Sequence, residues 1–74
     1  MKKVETVKIT TEYITLGQFL KLVDLIGNGG EAKMYIANHN ILVNNEPCAM
    51  RGKKLFNGDK IFIDESMLFE INKW

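Results

Sequence analysis

Disulfide chemistry is closed to this chain, because Cys48 is its only cysteine. A lone thiol forms no intramolecular bridge and no cysteine cluster for zinc. That usage fits a reducing, cytoplasmic setting, with Cys48 itself read as buried and unreactive. Histidine is equally scarce. His39 has no second ligand at metal spacing and no serine or cysteine nucleophile near it in the sequence. It is read as a helix-end residue facing terminal carbonyls. Long apolar runs are missing too, so neither a signal segment nor a membrane span is expected after the opening Met1-Lys2-Lys3-Val4-Glu5-Thr6. Excess charge of one sign is absent: ten Lys plus Arg face nine Asp plus Glu, a net charge of +1. A uniformly basic protein is excluded. Any face for nucleic acid must come from local sorting of charge.

Size excludes more. A chain of 74 residues is expected to form one domain over 1–74, with its core at about 12–63. A chain this short buries only roughly 60% of the surface its unfolded form exposes. Its hydrophobic residues make up 46% of the sequence and are spread along it, enough for a core but not for a deep pocket beside it. No phosphate-binding G-x-x-x-x-G-K-[ST] loop, zinc motif or nucleophile elbow occurs. The pairs Asp59-Lys60 and Asp64-Glu65 read as surface charge. These features point away from an enzyme, and no cofactor, metal or small-molecule substrate is expected.

What is present is a clear run of local signals. Val4 to Ile9 is rich in β-branched residues and reads as a strand. Thr10-Thr11-Glu12 is a polar connection. Thr15 followed by Gln18 forms a capping box, and Ile14 with Phe19 forms a hydrophobic staple. Leu16, Phe19, Leu20, Val23 and Ile26 repeat at helical spacing, which predicts a helix from about Leu16 to Ile26, closed by Gly27. Asn28 and Glu31 repeat the capping logic. Ala32, Tyr35, Ile36 and His39 then share one face of a second helix that stops near His39-Asn40. Ile41-Leu42-Val43 reads as a strand, Asn44-Asn45 as a two-residue hairpin turn, and Pro47 as part of an edge strand. A basic loop, Met50-Arg51-Gly52-Lys53-Lys54, follows. Asn57-Gly58-Asp59 is a turn before the strand Lys60 to Ile63, and Met67 to Ile71 is a last strand. Phe19 and Tyr35 are assigned to the core by their spacing, while Tyr13 and Trp74 have no assigned place. The order predicts an α+β fold, two short helices on a small twisted, mostly antiparallel sheet.

Charge is sorted along this order. From Lys33 to Lys54 the bases Lys33, Arg51, Lys53 and Lys54 face one acid, Glu46. From Asp59 onward Asp59, Asp64, Glu65 and Glu70 outnumber Lys60 and Lys73.

The segments Leu16-Gly17-Gln18-Phe19-Leu20-Lys21, Glu31-Ala32-Lys33, Ile41-Leu42-Val43-Asn44 and Gly58-Asp59-Lys60-Ile61 occur in an order that resembles the S4 (alpha-L) RNA-binding domain. With Thr11 to Thr15, Gly29-Gly30 and Arg51-Gly52-Lys53-Lys54-Leu55, the chain is similar to the stand-alone S4-domain proteins of the YaaA type found in Gram-positive bacteria. The likeness runs from about Val4 to Ile63. Two positions depart from the wider family. Thr15-Leu16-Gly17 stands where many members have Arg-Leu-Asp, and Asn28-Gly29-Gly30 where many have Ser-Arg-Ser. Two arginines used near RNA are therefore missing, and the glycines agree with the narrower group. The resemblance implies binding of structured RNA, rRNA or tRNA, by phosphate and shape contacts. In the narrower group it implies a role near the ribosome, in large-subunit assembly.

The candidate RNA-binding residues are Lys21, Gly29, Gly30, Lys33, Asn44, Arg51, Lys53 and Lys54. Each has a plainer reading. Gly29-Gly30 with Lys33 suits phosphate at a helix start, yet is also a tight interhelical turn, and Glu31 occupies the same end. Arg51-Gly52-Lys53-Lys54 suits an RNA backbone, yet basic runs are usually solvated loops. Asn44 fits a turn position with positive φ; the resemblance also implies that it lies near RNA. Lys21 extends the basic face or is simply a solvated lysine.

Three function classes compete. RNA binding leads, with RNA or the ribosome as partner and a monomer as the expected state. A protein–protein interaction module in a ribosome- or replication-associated complex is the alternative, suggested by the acidic C-terminal part. A fragment of an RNA-modifying enzyme is third. The opening at Met1 and the absence of a linker after Ile63 favour a complete small protein over it.

Overall fold

The computed structural model describes residues 4–74. Met1 to Lys3, read above as part of an N-terminus without a signal segment, lie outside the described residues. The chain forms β1 (Val4–Ile9), β2 (Tyr13–Thr15), α1 (Leu16–Leu22), a 3-10 turn (Gly29–Glu31), α2 (Ala32–Asn38), β3 (Ile41–Val43), β4 (Glu46–Pro47), β5 (Lys54–Phe56), β6 (Lys60–Ile63) and β7 (Met67–Lys73). It is an α+β fold with two α-helices among the described residues and a mostly antiparallel sheet.

The capping box stands as expected. Thr15 Oγ1 accepts the Gln18 N–H at 3.2 Å, and Gln18 Oε1 accepts the Thr15 N–H at 2.9 Å. The helix it starts ends at Leu22, short of Ile26, and Gly27 is not the residue that ends it. Asp24 takes the left-handed conformation, with φ 62°. Around it the Leu25 N–H donates to the Leu20 carbonyl at 3.0 Å and the Asp24 N–H to the Lys21 carbonyl at 3.1 Å. This pair of bonds is the Schellman closure, which usually holds glycine. Apolar periodicity continues to Ile26 because Ile26 is still buried, but it is carried there by irregular chain. Asp24→Gly is therefore expected to stabilise the fold by about 0.5–1 kcal/mol through removal of the left-handed strain. Thermal unfolding checks this, with a Tm a few degrees above the parent.

Asn28 also caps as expected: its Oδ1 accepts the Gly30 N–H at 2.9 Å. Glu31 Oε1 accepts from Gly27 at 2.9 Å and from Asn28 at 3.1 Å. The second helix begins as a 3-10 turn and becomes α-helical only at Ala32. His39 follows it with extended backbone. The His39 ring does not face terminal carbonyls. It stacks on Tyr35 at 3.9 Å, and its Nδ1 pairs with the Asp64 carboxylate.

The main sheet has the order β1-β7-β6-β3-β4. β1 and β7 are parallel, and every other neighbouring pair is antiparallel. Pro47 lies on the edge strand β4, where a missing N–H costs no ladder bond. Asn44 and Asn45 have φ of 53° and 70°, the primed turn that two-residue hairpins use. Gly58, at φ 90°, supplies the other tight turn. β7 is longer than the predicted Met67 to Ile71. A second sheet, β2 with β5, was not anticipated: Tyr13, Ile14 and Thr15 pair with Phe56, Leu55 and Lys54.

Alternation assigns the faces. Val7, Ile9, Ile41, Val43, Ile61, Ile63, Phe69 and Ile71 point inward and are buried against Leu16, Phe19, Leu20 and Ile36 of the helices. Phe19 meets Phe69 edge-on, with centroids 5.1 Å apart, an arrangement aromatic pairs prefer. On the opposite face one register row runs Val4, Leu68, Phe62, Leu42, Pro47 across the strands. Cys48 is half-buried and free.

Asp64 braces the far end of this sheet. Beyond the His39 contact, its Oδ1 accepts the Asn40 N–H at 2.9 Å. The His39 hydrogen bond, and then the Asn40 N–H, hold its carboxyl below the usual aspartate value. A carboxylate with a depressed folded-state pKa contributes stability that is present above its unfolded value, about pH 4. That stability is lost as pH falls through the lower folded value. Asp64→Asn is thus expected to lower Tm at neutral pH, with the gap to the parent closing below about pH 4. Thermal melts across pH check this; a gap independent of pH rejects the charge as its source.

Candidate nucleic-acid interface

The basic loop is tied to the start of α1 through its backbone. The Leu16 N–H donates to the Lys53 carbonyl at 2.8 Å and the Gly17 N–H to the Arg51 carbonyl at 2.9 Å. Helix starts leave their first N–H groups without helical partners, and here the loop's carbonyls satisfy two of them. The side chains of Arg51, Lys53 and Lys54 consequently stay at the surface; all three residues are exposed. Gly17 makes the approach close. A Cβ built on it meets Arg51 O and Ala32 Cβ at 3.5 Å each, so α1, the basic loop and the start of α2 converge on one point. Glycine inside a helix costs about 1 kcal/mol against alanine and often has a packing reason. That was the sequence signal for this junction.

Lys33 follows Ala32 directly and is exposed. Lys21 lies four residues after Gly17 and shares its helix face. Arg51, Lys53, Lys54, Lys33 and Lys21 therefore gather around a single helix–loop junction, although 18 residues of sequence separate Lys33 from Arg51. Lys54 pairs in register with the cap residue Thr15, and its ammonium lies 4.9 Å from the centroid of the Tyr13 ring.

Two groups of candidates stand differently. At Gly29-Gly30 the Gly30 N–H is taken by Asn28, and the Glu31 carboxylate occupies the Gly27 and Asn28 N–H groups. Those donors are spent inside the protein. What remains there is open surface, since a Cβ at Gly29 has nothing within 4 Å. Asn44 is committed to a structural latch. Its Nδ2 donates to Asp59 Oδ1 at 3.0 Å, and its Oδ1 accepts the Lys60 N–H at 3.0 Å. Asp59 also accepts the Phe56 N–H at 2.8 Å, so it is a turn-binding residue rather than loose surface charge.

A shallow groove of about 210 Å³ separates β4 from the basic loop, lined by Val43, Glu46, Pro47, Cys48, Ala49, Met50 and Lys53. Among the described residues no group of three or more His, Cys, Asp or Glu is placed to hold a metal ion. No described helix is long and apolar enough to cross a membrane.

A small α+β unit with clustered cations on a helix–loop junction defines a class of compact surface-binding domains. The S4 domain family profile matches residues 7–71, and the chain belongs to that family. It is also 49% identical, over 65 residues, to a Bacillus subtilis (strain 168) protein described as a probable ribosome maturation protein, RlbA. The alignment covers 88% of this chain and 92% of that protein.

Proposed function

We propose that this protein binds structured RNA without catalysing a reaction, and that it acts in ribosome maturation. The observation that carries this reading is the convergence of Arg51, Lys53, Lys54 and Lys33 on the Gly17 junction. Cations fixed at one point of a rigid scaffold match a phosphate backbone, which supplies most sequence-independent affinity. The family and the RlbA likeness support RNA, rRNA in particular, as the partner. The main-chain N–H groups at both helix starts are largely engaged within the fold, so the phosphate contacts fall to side chains. Gly29 and Gly52 contribute by leaving the surface low beside those cations. A Cβ at either has nothing within 4 Å, so Gly29→Ala and Gly52→Ala are expected to fold like the parent. Asn44 then serves by holding the hairpin beside the site. The whole of 1–74 acts as one cytoplasmic, monomeric binding unit.

Crosslinking in cells with sequencing of the recovered RNA tests this, with the Arg51/Lys53/Lys54 triple alanine variant as control. Recovery of one discrete rRNA or tRNA region, lost in the variant, is the expected result. Recovery equal to that of the variant removes the RNA assignment.

A further inference from the structure

We propose that the outer face of the β2–β5 ribbon is a stacking platform for an unpaired nucleobase lying next to the phosphates held by the basic loop. It rests on the RNA-binding reading above and adds a second kind of contact to it. Strand alternation splits the ribbon cleanly. Ile14 and Leu55 face the core, with Leu55 fully buried. Tyr13, Thr15, Lys54 and Phe56 share the other face. Tyr13 and Phe56 are direct cross-strand partners, with ring centroids 5.7 Å apart and planes tilted by 47°. They remain 39% and 47% exposed. Both are rigid rings fixed by backbone pairing, so a base that stacks on them orders little that is not ordered already. Stacking on such rings is tolerant of base identity, because every base has a π-face.

Charge complementarity selects the occupant. Lys54 lies over the Tyr13 ring, and Arg51 and Lys53 precede it on the same stretch of chain. Glu12, the acid next to Tyr13, is ion-paired with Lys73. An uncharged apolar partner would have to desolvate these cations, whereas a nucleotide answers both features, its phosphate meeting the cations and its base meeting the rings. Sheet aromatics flanked by cations are a general means of holding splayed-out bases. The platform therefore fits a bulged or looped base at the edge of an RNA helix, not a base within the duplex.

The test uses the full chain and two RNA hairpins of one sequence, the first fully paired and the second carrying one unpaired 2-aminopurine. Affinity is measured across salt concentrations, and 2-aminopurine fluorescence reports stacking. The parent is expected to prefer the bulged hairpin by about tenfold and to quench its fluorescence. The Tyr13→Leu/Phe56→Leu double variant is expected to lose preference and quenching while its salt slope stays the same. Tyr13→Phe, which keeps the ring, is expected to retain both. Should the leucine variant fail to fold, quenching by the parent still decides. Equal affinity for both hairpins without quenching, the result also given by a platform covered by protein, overturns the platform and leaves RNA binding standing. Failure of the parent to bind either hairpin at low salt overturns both readings.

Discussion

Removing the side chains of Arg51, Lys53 and Lys54 together is expected to weaken RNA binding by tenfold or more and to flatten its salt dependence. Each phosphate contact contributes about 0.7–0.9 to the slope of log affinity against log salt. Loss of three contacts should reduce the slope by about two to three. The variant is informative because the fold uses this loop through its backbone. The carbonyls of Arg51 and Lys53 hold the N–H groups of Gly17 and Leu16, and alanine keeps both bonds. Only the Lys54–Tyr13 contact is lost from the folded state, worth about 0.5–1 kcal/mol at an exposed site. Circular dichroism should therefore match the parent while titrations against rRNA, followed by fluorescence anisotropy at several salt concentrations, do not. Unchanged affinity and slope would place the binding surface elsewhere.

Leu55→Ala is expected to destabilise the fold by about 2–5 kcal/mol, the range for truncating a fully buried leucine. Leu55 is inaccessible to solvent, while its neighbours Lys54 and Phe56 are exposed. It is the residue by which β5 is anchored in the core, and so it also holds the basic loop that leads into β5. Domain stabilities lie at about 5–15 kcal/mol, and a chain this small stands toward the lower end. The loss is then a large part of the total. Urea unfolding checks it, with a lower midpoint as the expected outcome. A change below about 1 kcal/mol would mean the site collapses around the missing methyl groups. RNA binding by the folded fraction should keep the parent's salt slope, which separates this variant from the triple alanine one.

Much of this architecture is legible in particular residues. Thr15 and Gln18 mark the start of α1, and Asn28 and Glu31 mark the second capping box, because caps are made by side chains a few positions apart. Asn44-Asn45 mark the hairpin because few residues tolerate positive φ. The β-branched runs at 41–43 and 60–63 become strands. The end of α1 was not legible: Asp24, a poor match to the usual glycine, closes it, and Gly27 drew the boundary too far. The ribbon of β2 with β5 was not legible either. Its strands are three residues each and about 40 residues apart, and no local pattern of that length announces a partner so distant.

The candidate site divides in the same way. By itself the sequence determined the two capping boxes, the hairpin, the alternating core faces and the chemical identity of the basic loop, since each depends on neighbours within a few residues. Tertiary structure alone decided that Arg51 and Lys53 close onto the start of α1, that Gly17 brings Ala32 and Lys33 to the same point, and that Tyr13 lies beneath Lys54. It also decided that Asn44 and Glu31 spend their hydrogen bonds inside the protein. Those outcomes depend on which distant carbonyl satisfies a helix's unpaired N–H groups and which buried leucine draws a strand inward, and both are settled only when the whole core closes.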